Sequence, residues 1–278
     1  MCYENFMQGG KYNIILFHYI ILKKMKTEKL YYKNQFLTGC KAKLIEINEK
    51  GLIFDRTVTY PESGGQIGDE GILIREKTNE KIDFFDTTKI KGRNIYLENF
   101  PVIKVENEII HHIDMSLLNN LELGEEFIIK INVEKRAKTT LHHSGLHLAL
   151  LVLSSIRKGI DKKIIGAKIT DTYGRLDFST EQKFSKEELQ EIENKCNELI
   201  RKELEIYCYP HQEENEAIYW KCMDYIIPCG GTHCNNTKYL GKIKVKRKNI
   251  GKTSERLIIE LSEIDEFYKL YNEFDGKF

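Results

Sequence analysis

The sequence predicts an α+β protein in two parts. A small β-barrel-like domain over residues 29–125 precedes an α+β domain over residues 126–278, which has an antiparallel sheet and a buried helix carrying metal ligands. Three observations predict this. Up to about residue 114 the chain reads as short strands broken by turns. From about residue 135 the apolar period lengthens to that of helices. Strand patterns then return from around Cys208 onward.

The elements follow in order. Residues 1–28 are expected to be an extension, disordered or lying upstream of a true start at Met25. The apolar run 14–22, followed by Lys23, Lys24 and Lys26, is much shorter than the ~20 residues a membrane helix needs. It also lacks the basic n-region and the cleavage site of a secretory signal, so no membrane partner is expected. Strands are expected at residues 41–47, 52–54, 71–74, 82–85, 95–97 and 108–113. Residues 137–157 should form a helix whose second half is apolar nearly all round and therefore buried, with Gly159 as its stop. Ser185-Lys186-Glu187-Glu188 is a capping-box signature opening a second helix, with Leu189, Ile192, Cys196 and Leu199 on one face. Further strands are expected around Cys208 and at residues 225–227, 243–245 and 257–261. The acidic tail, residues 260–278, reads as a packing helix.

Composition narrows the function. A net charge of +1 over 278 residues excludes a wholly basic nucleic-acid binder, so any such contact must come from a local patch. The seven cysteines (Cys2, Cys40, Cys196, Cys208, Cys222, Cys229 and Cys234) are irregularly spaced, which argues against a disulfide scaffold and for reduced thiols in a cytoplasmic protein.

Two short motifs carry metal chemistry. His143 and His147 stand four residues apart on the first helix, stacked on one face about 6 Å apart along the axis. Cys229-Gly230-Gly231-Thr232-His233 offers a thiolate and a third imidazole, with glycines that let the backbone turn and approach closely. His143, His147, Cys229 and His233 together make a zinc set by ligand type. Either motif alone arises often by chance. His142 and Cys234 are weaker candidates, because His142 has no mate at Leu146 and Cys234 points away from His233 on an extended segment. The third segment, Tyr60-Pro61-Glu62-Ser63-Gly64-Gly65-Gln66, reads as a hairpin turn or a functional loop. In the second case the Gln66 amide could read a small hydroxyl or an amino group.

These segments, in this order, resemble the editing domain of alanyl-tRNA synthetase and its freestanding AlaX relatives. The carrying residues are the Tyr60 to Gln66 loop, Arg136, His143 to His147, Arg175-Leu176-Asp177-Phe178-Ser179 and Pro228-Cys229-Gly230-Gly231-Thr232-His233. The resemblance implies a cytoplasmic trans-editing hydrolase that deacylates mischarged tRNA(Ala), with Ser-tRNA(Ala) first and Gly-tRNA(Ala) second. Zinc would be held by His143, His147, Cys229 and His233. A pocket that hydrogen-bonds the serine hydroxyl can reject alanine, and Gln66 or Thr232 is the candidate polar reader in the catalytic pocket. Two departures remove hydroxyls near that pocket. Leu146 stands where several members carry a hydroxyl residue, and Gly166-Ala167 where Gly-Ser is common. Four protein ligands would close a zinc shell, whereas catalytic sites keep a position open.

For tRNA contact, Lys242, Lys244, Lys246, Arg247 and Lys248 form a basic stretch whose alternate members share one strand face. Such a stripe suits phosphate contacts or is merely a solvated surface. A monomer is expected. The competing readings are a non-catalytic RNA-binding module with structural zinc and a zinc hydrolase editing another aminoacyl-tRNA.

Overall fold

The computed structural model describes residues 26–117, 120–264, 267–273 and 276. It is an α+β molecule with antiparallel main sheets. Strands β1 (Glu28–Lys29), β2 (Gly39–Asn48), β3 (Gly51–Phe54), β4 (Arg56–Thr57), β5 (Gly71–Arg75), β6 (Lys81–Ile90), β7 (Arg93–Ile95), β8 (Ile103–Val105), β9 (Glu108–Ile113) and β10 (Glu126–Ile131) make the first part. Six of them close on themselves in the order β10-β2-β3-β9-β6-β5, all antiparallel, with β10 pairing both β2 and β5. Period-2 patterning dictates this. In β10, Phe127, Ile129 and Ile131 are buried and meet Leu44, Leu52, Phe54, Leu73, Ile82 and Phe84 in one apolar core.

A central helix (Val133–Ile156) follows the barrel. It begins four residues earlier than the pattern predicts, because Asn132 caps it by accepting from the Lys135 amide. The second sheet holds β11 (Ile164–Ile169) and β12 (Gly174–Ser179). After the second helix (Lys186–Arg201) come β13 (Ile206–Pro210), β14 (Ile218–Cys222) and β15 (Tyr225–Pro228), a separate three-stranded sheet. Strands β16 (Lys242–Gly251) and β17 (Ser254–Ser262) complete the four-stranded sheet β11-β12-β17-β16. Both halves of the predicted capping box form at Ser185 and Glu188, and the buried face of that helix is Ile192, Cys196 and Ile200. Glu188 also accepts from Arg157 Nη2 at 2.6 Å, tying the cap to the end of the central helix.

Three expectations need correcting. The extension does not reach residue 28: the Thr27 hydroxyl donates to the Phe54 carbonyl at 2.9 Å and Glu28 pairs with Arg56. Residues 1–25 lie outside the described residues. The strand expected at 95–97 ends at Ile95, where the chain turns through Asn99 at φ 55°. The tail is no long packing helix among the described residues. Residues 260–262 extend β17, and one helical turn, Lys269–Asn272, buries Tyr271 against Phe36.

The glycine loop joins the two parts. Gly64 and Gly65 have φ of +59° and +87°, and a Cβ on Gly65 would lie 2.7 Å from the Ala167 carbonyl oxygen. The loop therefore lies tight on β11: the Ile169 amide donates to Gly65 O and the Ile67 amide to Ile169 O. No helix among the described residues is long and apolar enough to cross a membrane.

Candidate metal centre

The central helix buries His143 and His147 on one face, and the turn after β15 brings Cys229 and His233 against them. One ligand atom from each of the four lies within 4.8 Å of all the others. Cys229 Sγ is 3.4 Å from His143 Nε2 and 3.3 Å from His233 Nε2. These spacings suit two edges of a tetrahedron around an ion with bonds of about 2.0–2.3 Å. His147 has Nδ1 buried without a hydrogen-bond partner.

The electrostatics suit a cation. Burial pushes His143 down to about 3, and burial plus neighbouring imidazoles push His147 and His233 well below the usual range. All three rings are therefore neutral at pH 7, as ligands must be. Burial pushes the Cys229 thiol up to about 11, a cost that a bound divalent cation reverses.

The surrounding hydrogen bonds fix the rings. The Thr232 amide can only donate, and it points at Gln66 Oε1 at 3.1 Å, so that atom is the carbonyl oxygen. The same oxygen lies 2.7 Å from His143 Nδ1, so Nδ1 carries the proton and the Nε2 lone pair faces Cys229. Gln66 Nε2 donates to Thr232 Oγ1 at 3.0 Å, and that hydroxyl meets Thr140 Oγ1 at 2.7 Å. Gln66 is fully buried. Its amide therefore meets His143, one of the candidate ligands, from within the core, because the loop is pressed into the junction with β11. Thr232 is likewise buried within this network. Gly231 is required here, since a Cβ would run into the His143 ring and Gln66 Oε1.

Three further residues support the centre. Gln35 Oε1 accepts from the His233 amide at 2.8 Å, and its Nε2 donates to the His233 carbonyl. Ser144 Oγ stands 3.3 Å from His233 Nδ1 and donates to Thr140 O. Arg136, fully buried, pairs with Asp69 and donates to Gln35 O at 3.1 Å and Val58 O at 2.9 Å. A buried hydroxyl beside a histidine pair is a usable signal for Ser144; Gln35 offers none. His142 turns away to Lys138 O at 2.9 Å, and Cys234 is buried outside the cluster.

The centre opens into a cleft of about 800 Å³. Leu146, Leu150, Ile164, Ala167, Ile169 and Leu176 line one part, and Tyr32, Tyr60, Ser63, Lys89 and Phe100 another. The predicted basic residues lie elsewhere, on edge strand β16. Lys242, Lys244 and Lys248 are exposed, whereas Lys246 pairs with Glu260 at 2.6 Å and Arg247 with buried Glu255.

Comparison with known proteins places these features. The family described as tRNA synthetases class II (A) matches residues 15–117, and the threonyl and alanyl tRNA synthetase second additional domain matches residues 218–258. The chain is 30% identical over 240 residues to an alanine–tRNA ligase of Saccharolobus islandicus, covering 79% of this chain but 25% of the ligase. The ligase of Sulfurisphaera tokodaii is 31% identical over 240 residues, with 24% of it covered. The chain thus spans about a quarter of the ligases it matches. It is 28% identical over 233 residues to the alanyl-tRNA editing protein AlaX-M of Pyrococcus horikoshii, covering 83% of this chain and 96% of that one. With its histidine pair, Cys-Gly-Gly-Thr-His turn and glycine loop joined at one centre, the chain is similar over most of its length to AlaX-M and carries a match to the second additional domain of threonyl- and alanyl-tRNA synthetases.

Proposed function

We propose that the protein is a cytoplasmic aminoacyl-tRNA deacylase that hydrolyses the ester of mischarged tRNA(Ala), Ser-tRNA(Ala) first and Gly-tRNA(Ala) second. The observation that carries this reading is the convergence of His143, His147, Cys229 and His233 at a cleft, in a chain that matches AlaX-M over nearly all of that protein. The donors fit zinc: three imidazoles held neutral and one thiol, with His143 locked in the tautomer that frees Nε2. A zinc ion bound there would polarise the ester carbonyl and lower the pKa of a water molecule. The chain's own part is positioning. Gln66 orients His143, Gln35 holds the His233 backbone, and the walls of Leu146, Ala167, Ile169 and Leu176 exclude bulk water from the aminoacyl group. In this reading the barrel strands, β2 to β10, form the first unit and the editing unit follows them, an assignment supported by the pairing of β10 with both β2 and β5.

Gln66 and Thr232 act in this reading through His143 and not through a substrate hydroxyl, because their hydrogen bonds are largely taken. The apolar walls offer no side-chain partner for a serine hydroxyl, so seryl and alanyl esters should be separated by less than a pocket built for the hydroxyl would achieve. Lys242, Lys244 and Lys248 would meet tRNA phosphates.

The test is hydrolysis of Ser-tRNA(Ala), Gly-tRNA(Ala), Ala-tRNA(Ala) and Ser-tRNA(Thr) by the purified protein. Turnover of the first two above the last two is expected. Turnover of none would return the protein to an RNA-binding role with structural zinc. Preference for Ser-tRNA(Thr) would transfer it to the other editing class.

A further inference from the structure

The cleft does not end at the metal centre. Phe100, in the turn between β7 and β8, lines it and also belongs to an aromatic cluster outside it. The Phe100 ring stands 5.1 Å from Tyr219 and 6.1 Å from His211. Tyr219 lies 5.6 Å from Tyr209, its cross-strand partner between β13 and β14, with the rings tilted by 34°. Tyr209 is 38% exposed, so the cluster is not a closed core. Solvated ring faces in a cluster are costly to leave bare and are common where bases stack.

The same part of the cleft holds cationic groups. Lys89, on β6, reaches Ser63 Oγ of the glycine loop at 3.2 Å, a neutral partner. Glu216, the carboxylate that acts on it, is committed to Lys29 and to the Glu106 amide. Burial pushes the Lys89 ammonium down to about 8. A desolvated ammonium without a carboxylate partner gains from an incoming anion. Lys104, exposed, also lines the cleft, while Lys91 is already neutralised by Glu46 and Glu108.

We propose that the Phe100–Tyr219–Tyr209 cluster and Lys89 form the seat for the unpaired 3′-terminal nucleotides of the tRNA, the rings stacking on bases and the lysine taking a backbone phosphate. This rests on the deacylase reading, because the aminoacyl ester is attached to that terminus. One cleft then holds the ester at the metal centre and the strand that carries it toward the aromatic rings. Stacking is tolerant of base identity, since every base has a π-face, which suits an invariant single-stranded end.

The test uses the full chain loaded with zinc. Binding of two short single-stranded RNAs is measured by fluorescence anisotropy, one ending in CCA and one with those positions abasic. Deacylation kinetics on the best mischarged tRNA run alongside. Phe100→Leu and Tyr219→Leu keep apolar bulk and remove the flat ring, Lys89→Gln removes the charge, and Phe85→Ala alters an exposed ring that does not line the cleft. Wild type should prefer the CCA end. Each ring variant should lose that preference and raise KM about ten-fold with kcat nearly unchanged. Lys89→Gln should weaken both RNAs alike and reduce the salt slope by about 0.7. Equal binding of the two RNAs by wild type, or an unchanged KM in the ring variants, would overturn the proposal. A preserved CCA preference without deacylation of any tRNA would instead sink the deacylase reading and leave the seat standing.

Discussion

His143 can serve a cation only as a neutral ring with its Nε2 lone pair free, and Gln66 Oε1 enforces that state from the far side of the ring. Replacing Gln66 with Ala is therefore expected to weaken zinc binding about 10–100-fold, whereas Gln66→Glu, which keeps an acceptor, should stay much closer to wild type. Competition with a chromogenic chelator measures this, and equal affinity in Gln66→Ala would mean that the amide is only packing. At Leu146 the argument concerns substrate choice. It lines the cleft beside Ala167 without a polar group, so Leu146→Thr should raise the rate ratio of seryl to alanyl esters by about ten-fold, the worth of one well-made hydrogen bond. An unchanged ratio would place discrimination elsewhere. The sites that were legible in the sequence are local: a four-residue histidine spacing and a Cys-Gly-Gly-Thr-His turn. Gln35 was not legible, because its contact with His233 spans 198 residues and leaves no local pattern. Gln66 was legible as a residue but not in its burial, since the loop's exposure depends on docking against β11.

Between elements, the ion pair of Arg136 with Asp69 clamps the start of the central helix to the glycine loop, out of water. Removing one partner strands a buried charge, so Asp69→Asn should destabilise the fold by about 3–5 kcal/mol. The double change Arg136→Met with Asp69→Leu should cost clearly less. Urea unfolding of the three proteins decides it, and an equal loss in single and double variants would show the pair to be worth its contacts alone. The barrel supplies a pH test. His111 is buried there, with Nε2 at 3.0 Å from Thr57 Oγ1 and Nδ1 facing the Leu52 carbonyl at 3.3 Å. Burial pushes its pKa down to about 3. The unfolded chain therefore binds the proton first. This contribution is whole above pH 6.5 and falls by roughly 1.4 kcal/mol per unit as the pH drops toward 3. His111→Gln should remove that slope whatever its effect on absolute stability, and an unchanged slope would assign the acid sensitivity to other groups. Elements with strong periodicity, β2, β9 and the capped second helix, were legible in advance. The central helix start and β10 were less so, because a single asparagine cap and barrel closure decide them.

At the scale of the whole molecule, tRNA contact by β16 should depend on the lysines that have no ion-pair partner among the described residues. Lys244→Glu with Lys248→Glu is expected to weaken tRNA binding and flatten its salt dependence. Lys246→Gln should do little, because Lys246 already meets Glu260. A steeper loss from Lys246 than from the pair would contradict this assignment. The central claim is that the four converging side chains hold a zinc ion that the hydrolysis needs, within a fold that stands without it. The direct measurement is the single-turnover deacylation rate of Ser-tRNA(Ala) as zinc is removed by chelation and restored, with circular dichroism followed on the same samples. The rate is predicted to rise and fall with zinc occupancy while the helix and sheet signal holds steady. A rate indifferent to zinc, or a fold that collapses as the metal leaves, would contradict it.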